Sequence, residues 1–115
     1  MDASDKVDGF CGETVRRALD VLGGKWTMLI LWELLEQERR YAALQRRVAG
    51  ISQKVLSAEL RSLVAAGLVE REVAATTPPQ VTYRITAEGR GAGEAYAALH
   101  RWGARPQASR PPVDR

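Results

Sequence analysis

The fold of this 115-residue chain is decided by residues 51–71, which read ISQKVLSAELRSLVAAGLVER. Ser52 is a good helix N-cap, because its hydroxyl can accept a hydrogen bond from a backbone N–H of the first turn. Three leucines then recur at the spacing of one helical face, namely Leu56, Leu60 and Leu63. Gly67 can adopt the left-handed conformation that ends a helix. The stretch therefore predicts an amphipathic helix followed by an extended segment.

The polar side of this helix carries residues that suit contact with nucleic acid. It comprises Gln53, Lys54, Ser57 and Arg61, with Ser52 at its start. A glutamine can read a base edge, a serine can bond to a base or a phosphate, and lysine and arginine can neutralise phosphates or read guanine. A merely solvated face is the alternative, since most amphipathic helices have one. The neighbouring segments decide between the two interpretations.

Length and composition bound the class of protein. A chain of 115 residues is long enough for one domain with a single core. Its 17 Lys and Arg against 14 Asp and Glu leave a net charge of only +3, which hints at a polyanionic partner. One cysteine excludes an intrachain disulfide framework. No apolar run could span a bilayer, and the N-terminus does not resemble a signal peptide. We expect a soluble cytoplasmic protein without membrane contact.

Two helices are predicted after a lead-in over residues 1–12 that we expect to be flexible. The first has an apolar face made by Val15, Ala18, Leu19 and Leu22. The second, over residues 25–35, is apolar around most of its circumference, so we expect it at the centre with Trp26, Ile30 and Leu34 in the core. Trp32 points off that stripe. It should contact a partner subunit, or the first or last helix of its own chain.

A third helix completes a recognisable supersecondary motif. Residues 36–40 read as a charged turn, and residues 41–48 as a short helix with Tyr41, Leu44 and Val48 facing inward. A short helix, a brief turn containing Gly50, and the helix capped by Ser52 together form a helix-turn-helix pattern.

The remainder of the chain predicts a hairpin and a last helix. Residues 68–74 and 81–85 are β-rich runs joined by a proline-containing loop, which is typical of a hairpin. A hairpin that follows a helix-turn-helix is called a wing. It can lie on the sugar-phosphate backbone of DNA or enter the minor groove, here with Thr76, Thr77 and Gln80 near its tip. Thr86 should cap a final helix with an apolar face of Ala95, Tyr96, Leu99 and Trp102.

The predicted fold is mainly α with a β-hairpin wing, a winged helix-turn-helix over residues 13–104 whose terminal helices are available for dimerisation. Residues 105–115 contain three prolines and read as a disordered basic tail.

Several of these motifs together resemble the HxlR family of bacterial winged-helix regulators, which is similar to the MarR group. The matching positions are residues 18–26, 30–31, 40–41 with Leu44, 50–56, 60–63, 67–69 with Arg71, 78–79 with Val81 and Tyr83, and Thr86 with Gly89. The resemblance implies a homodimeric transcription regulator with a dimer surface built from the first and last helices. It also implies that the Ser52 helix lies in the major groove of DNA.

The resemblance adds two basic residues to the candidate DNA contacts. It also indicates that the wing of this chain lacks one basic residue that family members often have. Lys25 belongs to the Gly-Gly-Lys-Trp element of residues 23–26, where it could meet a phosphate at a helix N-terminus. A solvated lysine beside a structural tryptophan is the alternative. Arg40 matches the family's basic residue before the third helix. Gln80 stands where members often carry a basic residue, so we expect the wing to grip DNA less strongly.

Cys11 is the candidate redox-sensing residue, because family members with an N-terminal cysteine include sensors of quinones, aldehydes or oxidants. It lies further from the Gly-Gly pair than the family cysteine usually does, and Gly12 replaces the common proline. Lys6, Arg16 or Arg17 could lower its pKa, whereas Glu13 opposes that change. An inert thiol near the end of the chain is the alternative.

Two other classes of function fit the sequence less well than a DNA-binding regulator. An enzyme is disfavoured because His100 and Cys11 are each the only residue of their type and lie at opposite chain ends. No metal site or cofactor is predicted, since no His, Cys or acids cluster at ligand spacing, and Glu36 and Glu38 read as a solvated turn. A winged helix used only for protein contact is the second alternative.

We therefore expect a homodimer that binds double-stranded DNA at an inverted repeat, with half-sites about 10 bp apart, and that represses transcription more readily than it activates it. A small-molecule effector could bind at the dimer interface. The candidate surface comprises Leu19, Trp32, Tyr96, Leu99 and Trp102.

Overall fold

The computed structural model describes residues 10–106, which form six helices and a three-stranded antiparallel sheet. The helices are α1 (Gly12–Leu22), α2 (Thr27–Glu36), α3 (Tyr41–Arg47), α4 (Gln53–Ala65), α5 (Ala87–Arg90) and α6 (Ala92–Gly103). The strands are β1 (Arg39–Arg40), β2 (Val69–Ala74) and β3 (Gln80–Ile85), in the order β1-β3-β2. The predicted fold, mainly α with a β-hairpin wing, is confirmed.

The second helix of the helix-turn-helix, α4, begins and ends as its sequence predicts. The Ser52 hydroxyl accepts a hydrogen bond from the Val55 backbone N–H at 3.1 Å. Gly67 has a φ of +80° just beyond the helix, and Gly50 has a φ of +85° in the turn before it. Because a side chain is strained at positive φ, both turns are suited to glycine. The turn and the caps together fix the length and direction of α4.

One core lies between α2, α3, α4 and the sheet. Its buried members are Ile30, Leu31, Leu34, Leu44, Val48, Ile51, Leu56, Leu60, Leu63, Leu68, Val69, Tyr83 and Ile85. Ile30 and Leu34 are therefore in the core as predicted, whereas Trp26 packs against it and is only partly buried. The helix-turn-helix and the base of the hairpin share this core, so the wing is fixed relative to α4.

The segment predicted as a charged turn over residues 36–40 instead contains a strand. Arg39 and Arg40 pair with Tyr83 and Thr82 along the free edge of β3. The Arg39 side chain is buried, and its Nη2 lies 2.8 Å from Glu36 Oε1 and 3.4 Å from Glu33 Oε1. The solvated-turn interpretation was wrong here, because the edge of β3 needs a hydrogen-bonding partner and two carboxylates compensate the buried charge.

The single last helix predicted after Thr86 is two helices. Thr86 caps α5 as predicted, with its hydroxyl accepting from the Gly89 N–H at 3.0 Å. Gly91 then separates α5 from α6. Closely spaced glycines favour such a break, because each one lowers helix propensity by about 1 kcal/mol. Gly89 also permits close packing, since a Cβ there would lie 2.3 Å from the Leu68 carbonyl oxygen.

The start of the described chain differs slightly from the predicted boundaries. Gly12 already belongs to α1, and residues 1–9 of the predicted lead-in lie outside the described residues, as do residues 107–115 of the predicted tail. Helix α2 begins at Thr27, so Lys25 lies in the turn before it and not in the helix. Within residues 10–106, no helix has the length and apolar character needed to cross a membrane.

Candidate nucleic-acid interface

The solvent-facing side of α4 presents half of the predicted contact residues together. Ser52, Gln53, Lys54 and Arg61 are exposed, and Ser57 is half-buried. Among residues 10–106, neither Lys54 nor Arg61 has a carboxylate partner. The two cations on this helix are therefore available to an external anion.

Tyr41 of α3 holds the first turns of α4 in place. Its hydroxyl donates to the backbone carbonyl of Gln53 at 3.0 Å and lies 2.9 Å from Ser57 Oγ. A phenol has one proton and a carbonyl can only accept, so the Ser57 hydroxyl must donate to Tyr41. The Ser57 oxygen then offers lone pairs to an incoming group. This suits the amino group of adenine or cytosine and not a phosphate, which narrows the role predicted for Ser57.

The two other basic candidates flank the helix-turn-helix from different sides. Lys25 Nζ lies 5.0 Å from the centroid of the Trp26 ring. The same ring borders the turn before α4, because a Cβ built on Gly50 would lie 3.9 Å from Trp26 Cη2. Arg40 is exposed in β1 just before α3, opposite Thr82 in the ladder. Lys25 thus lies beside the turn that leads into α4, and Arg40 lies beside the wing.

The tip of the wing presents fewer free polar groups than its sequence suggests. Thr76 Oγ1 donates to the Pro78 carbonyl at 2.7 Å, so its proton is used within the loop. Thr77 and Gln80 are exposed, and neither side chain has a hydrogen bond to another residue in the described range 10–106. Gln80 is the first residue of β3 and not part of the loop.

The two faces of the hairpin differ in charge. On the outer face, Arg84 lies 2.6 Å from Glu72, 3.3 Å from Glu38 and 3.6 Å from Glu70. The hydrogen bond and the charge of Glu72 raise the pKa of Arg84, and Glu38 adds to this effect. Three carboxylates around one guanidinium leave this face acidic. It is therefore poorly suited to contact with phosphates.

The inner face of the hairpin borders a groove that opens beside α4. The groove has a volume of about 560 Å³, and its polar lining includes Ser57, Arg61, Arg71 and Tyr83. Arg71 and Tyr83 lie directly opposite each other in the β2–β3 ladder. Neither residue was among the predicted DNA contacts. Their alternation with Glu70, Glu72 and Arg84 along the strands was the signal that could have placed them on the inner face.

Cys11 lies at the N-cap of α1, outside the core. The backbone N–H groups of Thr14 and Glu13 lower the pKa of the Cys11 thiol. Of the predicted sources, Arg16 and Arg17 are not among the causes, and Lys6 lies outside the described residues. In place of the predicted opposition from Glu13, its backbone lowers the pKa of Cys11. Glu13 is itself paired with Arg16 at 3.2 Å. The start of α1 therefore favours the thiolate form of Cys11.

The predicted effector surface divides into two parts. The Trp32 and Tyr96 rings stack with centroids 4.5 Å apart and an interplanar angle of 7°, so contact with the last helix, one of the alternatives expected for Trp32, is present. They line a pocket of about 300 Å³ together with His100 and Arg101. Leu19, Leu99 and Trp102 lie outside this pocket and are 59%, 59% and 54% exposed. Within residues 10–106, no three His, Cys, Asp or Glu side chains come close enough to hold a metal ion.

A capped, solvent-facing helix preceded by a short helix and a tight turn, and followed by a two-stranded wing, defines a winged helix-turn-helix protein. Residues 21–110 match the HxlR-like helix-turn-helix family, and the chain belongs to that family. It is a transcriptional regulator with a helix-turn-helix domain.

Similar proteins agree with this assignment. An HTH-type transcriptional regulator of Mycobacterium tuberculosis is 39% identical over 115 residues, covering 98% of this chain and 72% of the relative. A MarR-family transcriptional regulator from Porphyromonas gingivalis W83 superposes with a TM-score of 0.77 at 31% identity, over 86% of this chain and 95% of that structure. The redox regulator HypR in its oxidized form gives a TM-score of 0.75 at 33% identity, over 87% and 99%.

Proposed function

We propose that this regulator is a cytoplasmic homodimer that represses transcription by inserting α4 into the major groove of an inverted repeat. The observation that carries the proposal is the exposed side of α4, where Lys54 and Arg61 have no carboxylate partner among the described residues. A basic face that is not neutralised by the protein itself is the electrostatic footprint of a DNA-reading helix.

The dimensions of α4 support this use. Its 13 residues span about 20 Å at about 1.5 Å per residue, and the major groove is about 12 Å wide. The Ser52 end of the helix would enter first, with Gln53 and Lys54 at the base edges. Lys25 and Arg40 would meet the flanking phosphates, and the wing tip with Thr76, Thr77 and Gln80 would approach the adjacent minor groove. Two copies would read half-sites about 10 bp apart.

The dimer is supported by the terminal helices. Neither α1 nor α6 has a buried residue in the single chain. Three of their large apolar residues, Leu19, Leu99 and Trp102, expose more than half of their surface. Large apolar side chains that stay in water weaken a monomer, and a second copy would cover them. Repression follows from occupancy, because a dimer bound over a promoter blocks polymerase.

A second function, the sensing of oxidants or electrophiles, is favoured by one observation at Cys11. Its pKa is lowered by the backbone at the N-terminus of α1, which raises the share of reactive thiolate. HypR, a similar structure, is a redox regulator. Modification at the start of α1 would then act on the proposed dimer surface. The pocket beside Trp32 and Tyr96 offers a separate site for an aromatic effector.

The proposal is tested by selecting bound duplexes from a random DNA library, with and without reductant. Enrichment of an inverted repeat with half-sites about one helical turn apart supports the DNA-binding dimer. Sensing is supported if the wild-type protein enriches the repeat only in the presence of reductant, while Cys11→Ser enriches it equally with and without reductant. Binding of protein partners with no enriched duplex at low salt would favour a protein-interaction winged helix in its place.

A further inference from the structure

The groove between α4 and the inner face of the hairpin combines two cations with the hydroxyl of a largely buried tyrosine. Arg61 is supplied by α4, and Arg71 and Tyr83 are supplied by β2 and β3. Side chains directly opposite in an antiparallel ladder have Cβ atoms about 5 Å apart, so Arg71 and Tyr83 are neighbours. Three donor groups from three elements therefore border one opening.

The two arginines in the groove differ from Arg39, Arg47 and Arg84, although they are not the only arginines without a carboxylate partner among residues 10–106. Arg39, Arg47 and Arg84 are each held by at least two carboxylates. Across residues 10–106, the side chains of Arg61 and Arg71 have neither a carboxylate partner nor a hydrogen bond. Two like charges on one groove repel each other and are stabilised by an anion between them.

Tyr83 supplies an independent observation. Tyr83 as a whole is 8% exposed, and its hydroxyl has no hydrogen-bond partner within the described part of the chain. The hydroxyl oxygen itself is not buried, so its proton is available at the groove. Because Tyr83 lines the groove, the opening gives its hydroxyl access to an external acceptor.

We infer that this groove is a phosphate clamp, in which Arg61, Arg71 and the Tyr83 hydroxyl hold one backbone phosphate of each DNA half-site. The inference rests on the proposed DNA binding and extends it to Arg71 and Tyr83. A duplex whose major groove holds α4 and whose minor groove faces the wing passes its intervening backbone between these two elements. Ser57 borders the same groove but offers lone pairs, so it contributes base reading and not phosphate binding.

The first test compares Arg71→Ala, Tyr83→Phe and Arg90→Ala on the duplex selected by the wild-type protein, over a range of salt concentrations. Arg90 is exposed in α5, away from the groove, and is the matched control for loss of one positive charge. Arg71→Ala should weaken binding about tenfold and lower the slope of log K against log salt by about 1. Tyr83→Phe keeps the buried ring and should weaken binding about fivefold with an unchanged slope. Arg90→Ala should change neither quantity.

The second test replaces the half-site phosphates one at a time with uncharged methylphosphonates. At one position the methylphosphonate should weaken binding by the wild-type protein. The same methylphosphonate should weaken binding by Arg71→Ala little further, because both changes remove the same contact. Independent, additive losses at every position would overturn the clamp while leaving DNA binding intact. Failure of the wild-type protein to bind any duplex would overturn the proposed function, and the clamp with it.

Discussion

The helix-turn-helix and the terminal helices have the same kind of amphipathic sequence but differ in what covers their apolar sides. In α4, Leu56, Leu60 and Leu63 are at most 2% exposed. In α1 and α6, Leu19 and Leu99 are each 59% exposed. Apolar periodicity indicates that a helix side is meant to be covered, but it does not say whether the cover comes from the same chain. For α1 and α6 a second copy is the cover that we propose.

The comparison also separates two sources of stability. Burial in the shared core stabilises the single chain, at about 25 cal/mol for each Å² of apolar surface removed from water. Burial of α1 and α6 against a partner would stabilise only the assembly, so its contribution would depend on protein concentration. Substitutions in the two regions should therefore differ in kind as well as in size.

The largest effect is expected in the core. Leu60→Ala should lower the free energy of unfolding by about 3 kcal/mol, because it removes buried methyl groups and leaves a cavity. Urea denaturation followed by circular dichroism measures this loss, which should be the same at low and high protein concentration. Leu99→Ala is the control. Its loss of unfolding free energy should grow as the protein concentration rises, because Leu99 would stabilise only the dimer. Equal, concentration-independent losses for both variants would remove the distinction between the two regions.

The next effect concerns the proposed dimer surface. Leu99→Glu places a charge on the exposed apolar side of α6, and it should raise the dimer dissociation constant about hundredfold, which corresponds to about 2.7 kcal/mol. Sedimentation velocity measures the change, and the circular dichroism spectrum should stay that of the wild type. Ala87→Glu adds the same charge at an exposed site in α5 and should leave the dimer intact. A wild-type protein that stays monomeric at micromolar concentration would refute the dimer.

Local features of the fold could be predicted from sequence because they depend on residues close together in the chain. The cap at Ser52, the turn at Gly67 and the leucine stripe of α4 each follow from neighbours within a few positions. The same holds for the hairpin. These features settle the fold class and the exposed side of α4, which is the central part of the proposed DNA contact surface.

Features that depend on distant residues could not be predicted in this way. Arg39 looks like a solvated residue until Glu33 and Glu36 are seen to lie beside it. The pairing of β1 with β3 joins residues more than 40 positions apart in sequence. Tyr41 fixes the donor role of Ser57 across a gap of 16 residues. In each case the deciding partner comes from tertiary packing, which periodicity does not reveal.

A smaller effect is expected at the cap of α4. Ser52→Ala should lower the free energy of unfolding by about 1 kcal/mol, because the Val55 N–H loses its side-chain acceptor. Thermal or urea unfolding without DNA measures stability apart from any role of Ser52 in binding. Ser62→Ala, at an exposed site in the last turn of the same helix, should be neutral or slightly stabilising, since alanine has the higher helix propensity. Similar losses for both serines would argue against the cap as the cause.

The smallest effect concerns the chemistry of α1 and not its packing. Since backbone N–H groups at the helix N-terminus lower the pKa of Cys11, its thiolate should form at a lower pH in the folded protein than in the unfolded chain. The rate of alkylation by iodoacetamide, followed against pH, should therefore have a lower midpoint in buffer than in guanidinium chloride. Thr14→Pro removes the N–H with the largest influence and should raise that midpoint, whereas Thr14→Ala removes only the minor hydroxyl contact. Equal midpoints in the folded and unfolded chain would mean that α1 does not activate the thiol, and the case for sensing at Cys11 would then rest on similarity to HypR alone.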